Sequence, residues 1–211
     1  MAEFINTIDA LGDDVVIDSI IQGTITEFKD NVLKIIGQSA FCGCKELTTV
    51  DAPSITDLGR SALQGCNKIE SVNFPELITI HPYSMQRCTA IKSIVLPKAT
   101  FLGTYAMSGC TGLISAEFHA VVEFGHEALA ECSNLSSVIL RNKETVSSII
   151  SSGVLKKTQI ASGTGYIYVP RALVDSYKAE TNWATYAAQF RALEDYTVDG
   201  TITGELDETK I

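Results

Sequence analysis

The chain has 211 residues, 45% apolar and 19% charged, with 25 acidic against 16 basic side chains and a net charge of −9. That apolar content excludes wholesale disorder, and the acidic balance lacks the basic footprint of a nucleic-acid binder. The charge is uneven: residues 1–21 carry five acids and no base, residues 194–211 carry six acids and one Lys, and the stretch between is close to neutral.

No apolar run approaches about 18 residues, so no membrane insertion is expected. The start, Met1-Ala2-Glu3-Phe4, has no basic n-region, and Glu3, Asp9 and Asp13 stand where the apolar stretch of a signal peptide would run. That argues against secretion. Asp13 or Asp14 can cap a helix carrying Val16, Ile17, Ile20 and Ile21 on one face, with Gly23 ending it. Residues 1–21 are therefore expected to be a helical cap, with an oligomerisation arm as the alternative.

The six cysteines reveal the organisation of the central part of the chain. Cys44, Cys66, Cys88, Cys110 and Cys132 are spaced by 22 residues, and only Cys42 lies outside the series. Disulfide frameworks and zinc sites show paired or clustered spacings, whereas a constant interval marks an internal repeat. Aligned on the cysteines, apolar columns appear at Leu47, Ile69, Ile91, Leu113 and Leu135, and at Val50, Val72, Ile94, Ala116 and Val138. Pro53, Pro75 and Pro97 come next, with His119 breaking that column. A second apolar group at Leu58, Ile80, Leu102 and Phe124 leads into Gly59, Gly103 and Gly125, with His81 as the exception. Ile25, Phe28, Leu33, Ile36 and Gly37 fit a degenerate first copy. Residues 22–142 thus hold about six coils of 22 residues.

Within one coil, Val50-x-Ala52 and its equivalents alternate as a half-buried strand does. Pro ends the strand, and Gly permits a turn, with positive φ expected there. A unit of this size cannot bury its own apolar face, so the units must stack, with strands about 4.8 Å apart sharing one core. The cysteine column is expected to be a row of buried, reduced thiols.

Residues 143–211 are expected to form a mixed α/β C-terminal cap. Residues 143–165 are rich in Ser and Gly and read as a connection with a short helix. Tyr166 to Val169 alternates as a final strand. Pro170 suits a helix start, and residues 171–192 read as one or two helices burying Leu173, Tyr177, Trp183, Tyr186 and Phe190, with Thr181 or Asn182 as N-cap. Asp199-Gly200 between Thr197-Val198 and Thr201-Ile202 signals a hairpin.

The pattern Ile-Gly-x-x-Ala-Phe-x-x-Cys-x-x-Leu-x-x-Val-x-x-Pro, from Ile36 to Pro53, resembles the BspA-like leucine-rich repeats of bacterial surface proteins. The resemblance covers about 120 residues and implies an α/β leucine-rich-repeat solenoid with a parallel sheet on one face and short turns or helices on the convex side. It implies binding or adhesion, and no catalytic residues. The segment from Tyr166 to Tyr186 and the stretch Leu193 to Gly200 are similar to the closing segments of such proteins in gut anaerobes and their prophages. The resemblance thus implies a gut bacterial or prophage-encoded protein, and the absent signal peptide favours a cytoplasmic or virion-associated location.

Motifs for catalysis are missing. There is no G-x-S-x-G, phosphate-binding loop or H-E-x-x-H. Gly163-x-Gly165 reads as a flexible turn, and Asp195 to Gly200 lacks the alternating oxygens of a calcium loop. His81, His119 and His126 lack partners at ligand spacing. No catalytic, cofactor-binding or metal-ligating residue is assigned, and no cofactor is expected.

The remaining feature is the outward side of the repeat strands. Thr49, Ser71, Ser93, Ser115 and Ser137 form a hydroxyl column. Asp51, Asn73, Val95, Glu117 and Ile139 run along one side of it, and Thr48, Glu70, Lys92, Ile114 and Ser136 along the other. A hydroxyl column suits packing on a flat parallel ladder, while the flanking columns vary from coil to coil. The expected function is a non-enzymatic recognition or adhesion module binding a protein or glycan through this face, with a prophage structural protein as one setting. A structural spacer without ligand is the alternative. The residues expected to carry binding are Thr49, Asp51, Glu70, Ser71, Asn73, Lys92, Ser93, Ser115, Glu117 and Ser137.

Overall fold

The computed structural model describes residues 25–195 and the backbone of 197–198 and 201–202. The expected helical cap over residues 1–21 lies outside the described residues. In chain order the strands are β1 (Glu27–Lys29), β2 (Ile35–Ile36), β3 (Thr49–Asp51), β4 (Asp57–Leu58), β5 (Ser71–Asn73), β6 (Thr79–Ile80), β7 (Ser93–Leu96) and β8 (Phe101–Leu102). They continue with β9 (Ser115–Phe118), β10 (Glu123–Phe124), β11 (Ser137–Leu140), β12 (Ser148–Ile149) and β13 (Tyr166–Val169). Helix α1 (Val174–Ala179), β14 (Phe190–Ala192) and an antiparallel pair, β15 (Thr197–Val198) with β16 (Thr201–Ile202), complete the order.

Each coil contributes one odd-numbered and one even-numbered strand, on different sides of the solenoid. β1, β3 and β5 form a three-stranded parallel sheet, and β7, β9, β11, β13 and β14 a five-stranded one. The even strands β2 to β12 form a continuous six-stranded sheet. This second sheet goes beyond the single parallel sheet expected. Its strands are two residues long, too short to show any alternation. The stretch between an even strand and the next odd one is stitched as well. The amide of Phe41 donates to Ala62 O at 2.8 Å, Leu63 to Ser84 O at 2.7 Å, Met85 to Ala106 O at 2.7 Å and Met107 to Ala128 O at 2.9 Å. Three sides of the coil therefore carry main-chain bonds to the next coil.

The register is that of the repeat. Val50 stands beside Val72, Ile94 beside Ala116, and Ala116 beside Val138. The apolar columns turn inward and, apart from half-buried Ile25 and Val72, are buried in one core that runs the length of the solenoid.

The glycine column has a different cause from the one expected. Gly59, Gly103 and Gly125 do not sit at positive φ. A Cβ on Gly103 would stand 2.5 Å from Pro82 N and 2.6 Å from the carbonyl carbon of His81, so the glycine is required by close approach of the preceding coil. The left-handed residues come two positions later: Ser61 (φ 56°), Tyr83 (φ 63°), Tyr105 (φ 55°) and Glu127 (φ 49°). Bulky side chains seldom take that conformation. Here Tyr83 and Tyr105 stack at 5.4 Å, Arg60 lies over Tyr83 at 5.1 Å, and His126 meets Tyr105 edge-on at 5.5 Å.

Past residue 142, where the cap is expected to begin, the architecture does not change. β11, β13 and β14 are successive neighbours in one sheet, and β12 extends the other. The stretch 143–165 forms β12 and a short 3-10 turn at Ser152–Leu155. Residues 171–192 hold two short helical stretches joined near Thr181-Asn182, as expected, but their last three residues form a strand. A 3-10 turn at Arg171–Leu173, α1, and a 3-10 stretch at Trp183–Gln189 lead into strand β14. Phe190 is buried on that strand beside Ile167. Asn182 does not cap with its side chain. The carboxylate of Glu180 accepts from the amides of Asn182 (3.1 Å) and Trp183 (3.0 Å), while Asn182 Nδ2 donates to Ile149 O at 2.7 Å.

Buried Ser147 anchors this segment to the solenoid. Its hydroxyl donates to Val121 O at 2.6 Å, its amide donates to Tyr177 Oη at 2.9 Å, and its carbonyl accepts from Trp183 Nε1 at 2.6 Å. Trp183 packs against Tyr177, Tyr186, Phe190 and the core ring of Phe124.

Two substitutions test the packing. Ser84 occupies the column of Ala40, Ala62, Ala106 and Ala128, and its buried hydroxyl has no hydrogen-bond partner among the described residues. Ser84→Ala removes that desolvated group and should stabilise by about 1 kcal/mol, raising Tm by about 2–4 °C. Gly103→Ala should destabilise by about 1–3 kcal/mol through overpacking against the preceding coil. Thermal and urea unfolding check both signs.

Candidate recognition surface

The expected binding columns do align in space. Thr49 stands beside Ser71 on β3 and β5, Asp51 beside Asn73, and Glu70 leads into β5. Ser93, Ser115 and Ser137 align on β7, β9 and β11, with Lys92 leading into β7 and Glu117 beside Val95. The two groups fall on separate sheets, because the ladder stops between β5 and β7.

Part of the expected set is already committed within the molecule. Glu117 Oε1 is shared by Arg141 Nε and by His119 Nε2, the latter at 2.7 Å; the Glu117 and Arg141 side chains are largely shielded and that of His119 is half-buried. Arg141 follows β11 as His119 follows β9, so both stand where other coils carry Pro. Asp51 accepts from Asn73 Nδ2 at 2.8 Å. Ile139, expected to face outward, is only 4% exposed, because Leu193 and Tyr168 pack on it from the outer side. The accessible part of the face therefore lies toward the N-terminal side of Ile139. There Glu70, Ser71, Asn73, Lys92 and Ser93 are exposed, and Thr49 and Ser115 are half-buried. Val95 (55%) and Ile114 (49%) are exposed on the same face. Their signal in the sequence was visible: both are aliphatic in columns that are otherwise largely polar.

The groups that could carry chemistry are dispersed. His81 Nε2 lies 3.2 Å from Asp57, and His126 Nδ1 lies 3.0 Å from Ser151 Oγ. Among the described residues, no group of three or more His, Cys, Asp or Glu could hold a metal ion, and no helix is long and apolar enough to cross a membrane.

The cysteine column is buried throughout, from Cys44 to Cys132. Each thiol from Cys66 on donates to a carbonyl 25 residues earlier: Cys66 to Phe41 O (2.9 Å), Cys88 to Leu63 O (3.3 Å), Cys110 to Met85 O and Cys132 to Met107 O (both 3.2 Å). A small apolar side chain with a weak donor fits this place between coils. Burial pushes the Cys88 thiol up to about 12, and thiol–thiol hydrogen bonding with Cys44 and Cys132, together with burial, holds Cys66 and Cys110 above the usual range as well.

A family model for the BspA type leucine rich repeat region matches in six copies over residues 23–136 and 76–167. The chain is a BspA-type leucine-rich repeat protein. Among solved structures, the repeat solenoid is similar to the T. pallidum leucine-rich repeat protein TpLRR, at 26% identity and a TM-score of 0.50 over 52% of this chain and 53% of that one. It is also similar to the pneumococcal vaccine antigen PcpA, at 14% identity and a TM-score of 0.64 over 85% of this chain and 42% of that one, a likeness of fold. The chain spans about half the length of these structures. No curated protein matches. The BspA-type repeat accounts for the cysteine interval and the stacked register.

Thiol reactivity tests the column. A pKa of about 12 at Cys88 leaves about one thiol in ten thousand ionised at pH 8. Titration of the folded chain with an aromatic disulfide reagent should therefore modify half-buried Cys42 first. The other five of the six cysteines are buried, beyond reach of the reagent, and should react only at the rate of unfolding, and all six in denaturant. Prompt reaction of more than one thiol in the folded chain would contradict the buried column.

Proposed function

We propose that the chain is a non-enzymatic recognition module that binds a protein or glycan through the outward face of β3, β5, β7 and β9. The observation that carries this reading is the contrast on that face. The main chain repeats at a fixed register, while the exposed side chains change from Glu70 to Lys92 to Ile114 and from Asn73 to Val95. A rigid ladder with variable side chains presents a broad, preordered surface, which lowers the ordering cost of binding. The similarity of the closing segment to prophage-encoded proteins extends the proposal to a virion setting. Absence of the chain from purified virions of its host would remove that extension.

The test uses the full chain with Ser71, Ser93 and Ser115 each changed to Arg, and a control with Ile78→Arg, at the exposed residue that leads into β6 of the six-stranded sheet. Both are probed against glycan arrays and host-envelope proteins. A partner of the wild-type chain should lose about tenfold or more in affinity with the hydroxyl-column variant and bind the control unchanged. A partner that tolerates the hydroxyl-column variant would place recognition elsewhere. Absence of any partner would favour a structural spacer.

A further inference from the structure

We propose that Val95 and Ile114, on either side of Ser93 and Ser115 and with Lys92 beside Ile114, form the docking point for a protein segment that carries an aliphatic residue soon followed by an acidic one. This rests on the strand-face reading above and narrows it from protein or glycan to protein.

The first observation is the pair of exposed aliphatics themselves. Val95 stands in the column of Asp51, Asn73 and Glu117, and Ile114 in the column of Thr48, Glu70, Lys92 and Ser136. They flank Ser93 and Ser115, which are in register on adjacent strands. Two exposed aliphatics on either side of a hydroxyl pair, on a face otherwise polar, are anchor points of the kind that carry protein binding.

The second observation is how the molecule treats the same column two coils later. Ile139 is covered by Leu193, with Tyr168 completing the cluster. Leu193 is followed by Glu194 and Asp195, and Arg171 holds both acids. Its amide donates to Glu194 Oε2 at 2.8 Å, and its guanidinium pairs with Asp195. An aliphatic residue followed by acids, laid on the outer side of this sheet and held by a neighbouring cation, is thus an arrangement the chain already makes with itself.

At the Val95–Ile114 patch the corresponding cation is Lys92. The amide of Ile114 donates to Lys92 O at 2.8 Å, which fixes the two residues side by side. Lys92 makes no ion pair or hydrogen bond through its side chain with any described residue, and neither does Glu70 in the same column. Elsewhere acid–base pairs spaced by 22 residues join: Glu46 with Lys68 at 2.6 Å and Glu76 with Lys98 at 2.5 Å. The difference coincides with the seam in the strand face. The ladder stops between β5 and β7, and Val72 is less buried than the rest of its column. Lys92 is therefore left to pair with an incoming acid, while Glu70 across the seam disfavours an acid on its own side. That sets the direction of the segment.

The face also lacks what a sugar needs. The outward residues of β5, β7 and β9 are Ser71, Asn73, Ser93, Val95, Ser115 and Glu117, with no aromatic ring among them. Pockets for small polar ligands combine aromatic or apolar walls with converging polar groups, and this surface is an open ladder.

The experiment pans a phage-displayed dodecapeptide library on the full chain and titrates a consensus peptide by fluorescence anisotropy. The expected consensus has Leu, Ile or Val followed closely by Asp or Glu. Its affinity should fall about tenfold or more in the Val95→Ser/Ile114→Ser variant and in Lys92→Glu. A peptide with the acid replaced by Lys should regain affinity for Lys92→Glu. These positions are exposed, and unchanged thermal melts will show that the fold persists. The proposal is overturned if no such consensus emerges, or if the consensus peptide tolerates both variants. A glycan ligand that is lost with Arg at Ser71, Ser93 and Ser115 but ignores Val95→Ser/Ile114→Ser would overturn this inference and leave the strand-face reading standing.

Discussion

Everything in this molecule depends on main-chain hydrogen bonding from each coil to the next at a constant offset. The odd strands, the even strands and the turn between them all bond forward or back by about one repeat length. Once the backbone is stacked this way, side chains must fall into columns, and each column must suit one environment. The inward columns became apolar, the Cys column sits where a thiol can reach a carbonyl of the preceding coil, and the glycine column sits where two backbones approach too closely for a Cβ. A coil that broke the register would leave buried amides without partners on both sides, at a cost far above that of a surface change.

The same constraint explains how the C-terminal segment closes the solenoid. After Cys132 the chain adds residues within its coils, so that Ser148 donates to Val122 and Tyr166 to Ser136 at longer offsets than 22. The ladder tolerates this because the extra residues lie in the connecting stretches outside the strands. The exposed end of the core is then covered by aromatic packing: Trp183, Tyr177, Tyr186 and Phe190 fill the space beyond Phe124, and the buried polar atoms of Ser147 and Tyr177 satisfy each other. Rings with a polar tip are suited to this, since each buries a large apolar area while anchoring to the backbone.

Because the interior is dictated by stacking, the outer surface is where the side chains are free to vary from coil to coil. On the strand face, part of the outward chemistry is consumed internally by the Glu117–Arg141–His119 cluster and by the Leu193 cover over Ile139. What remains is a patch around the seam between β5 and β7, with aliphatic and unpaired charged side chains next to each other. On the turn side, the stack of Arg60, Tyr83, Tyr105 and His126 is held by two tyrosines in left-handed conformation, and its ring faces are already occupied by one another.

The repeat, the inward columns, the buried cysteines and the strand at Tyr166–Val169 were legible in the amino-acid order, because a 22-residue interval recurring through five cysteines overrides local ambiguity. The even strands were not, since two residues cannot display a period. Nor was the conformation of the glycine column, because glycine serves both positive φ and close approach, and only the position of the neighbouring backbone distinguishes them. Phe190–Ala192 read as helix because its pairing partner, Ile167–Val169, lies more than twenty residues away, a distance no local pattern spans. The candidate face divides in the same way. Which residues point outward follows from the strand period, so sequence alone determined the columns. Which of them remain available was decided by tertiary structure, because Glu117 is neutralised, Ile139 covered and Lys92 left unpaired by neighbours that only the stacked coils bring together.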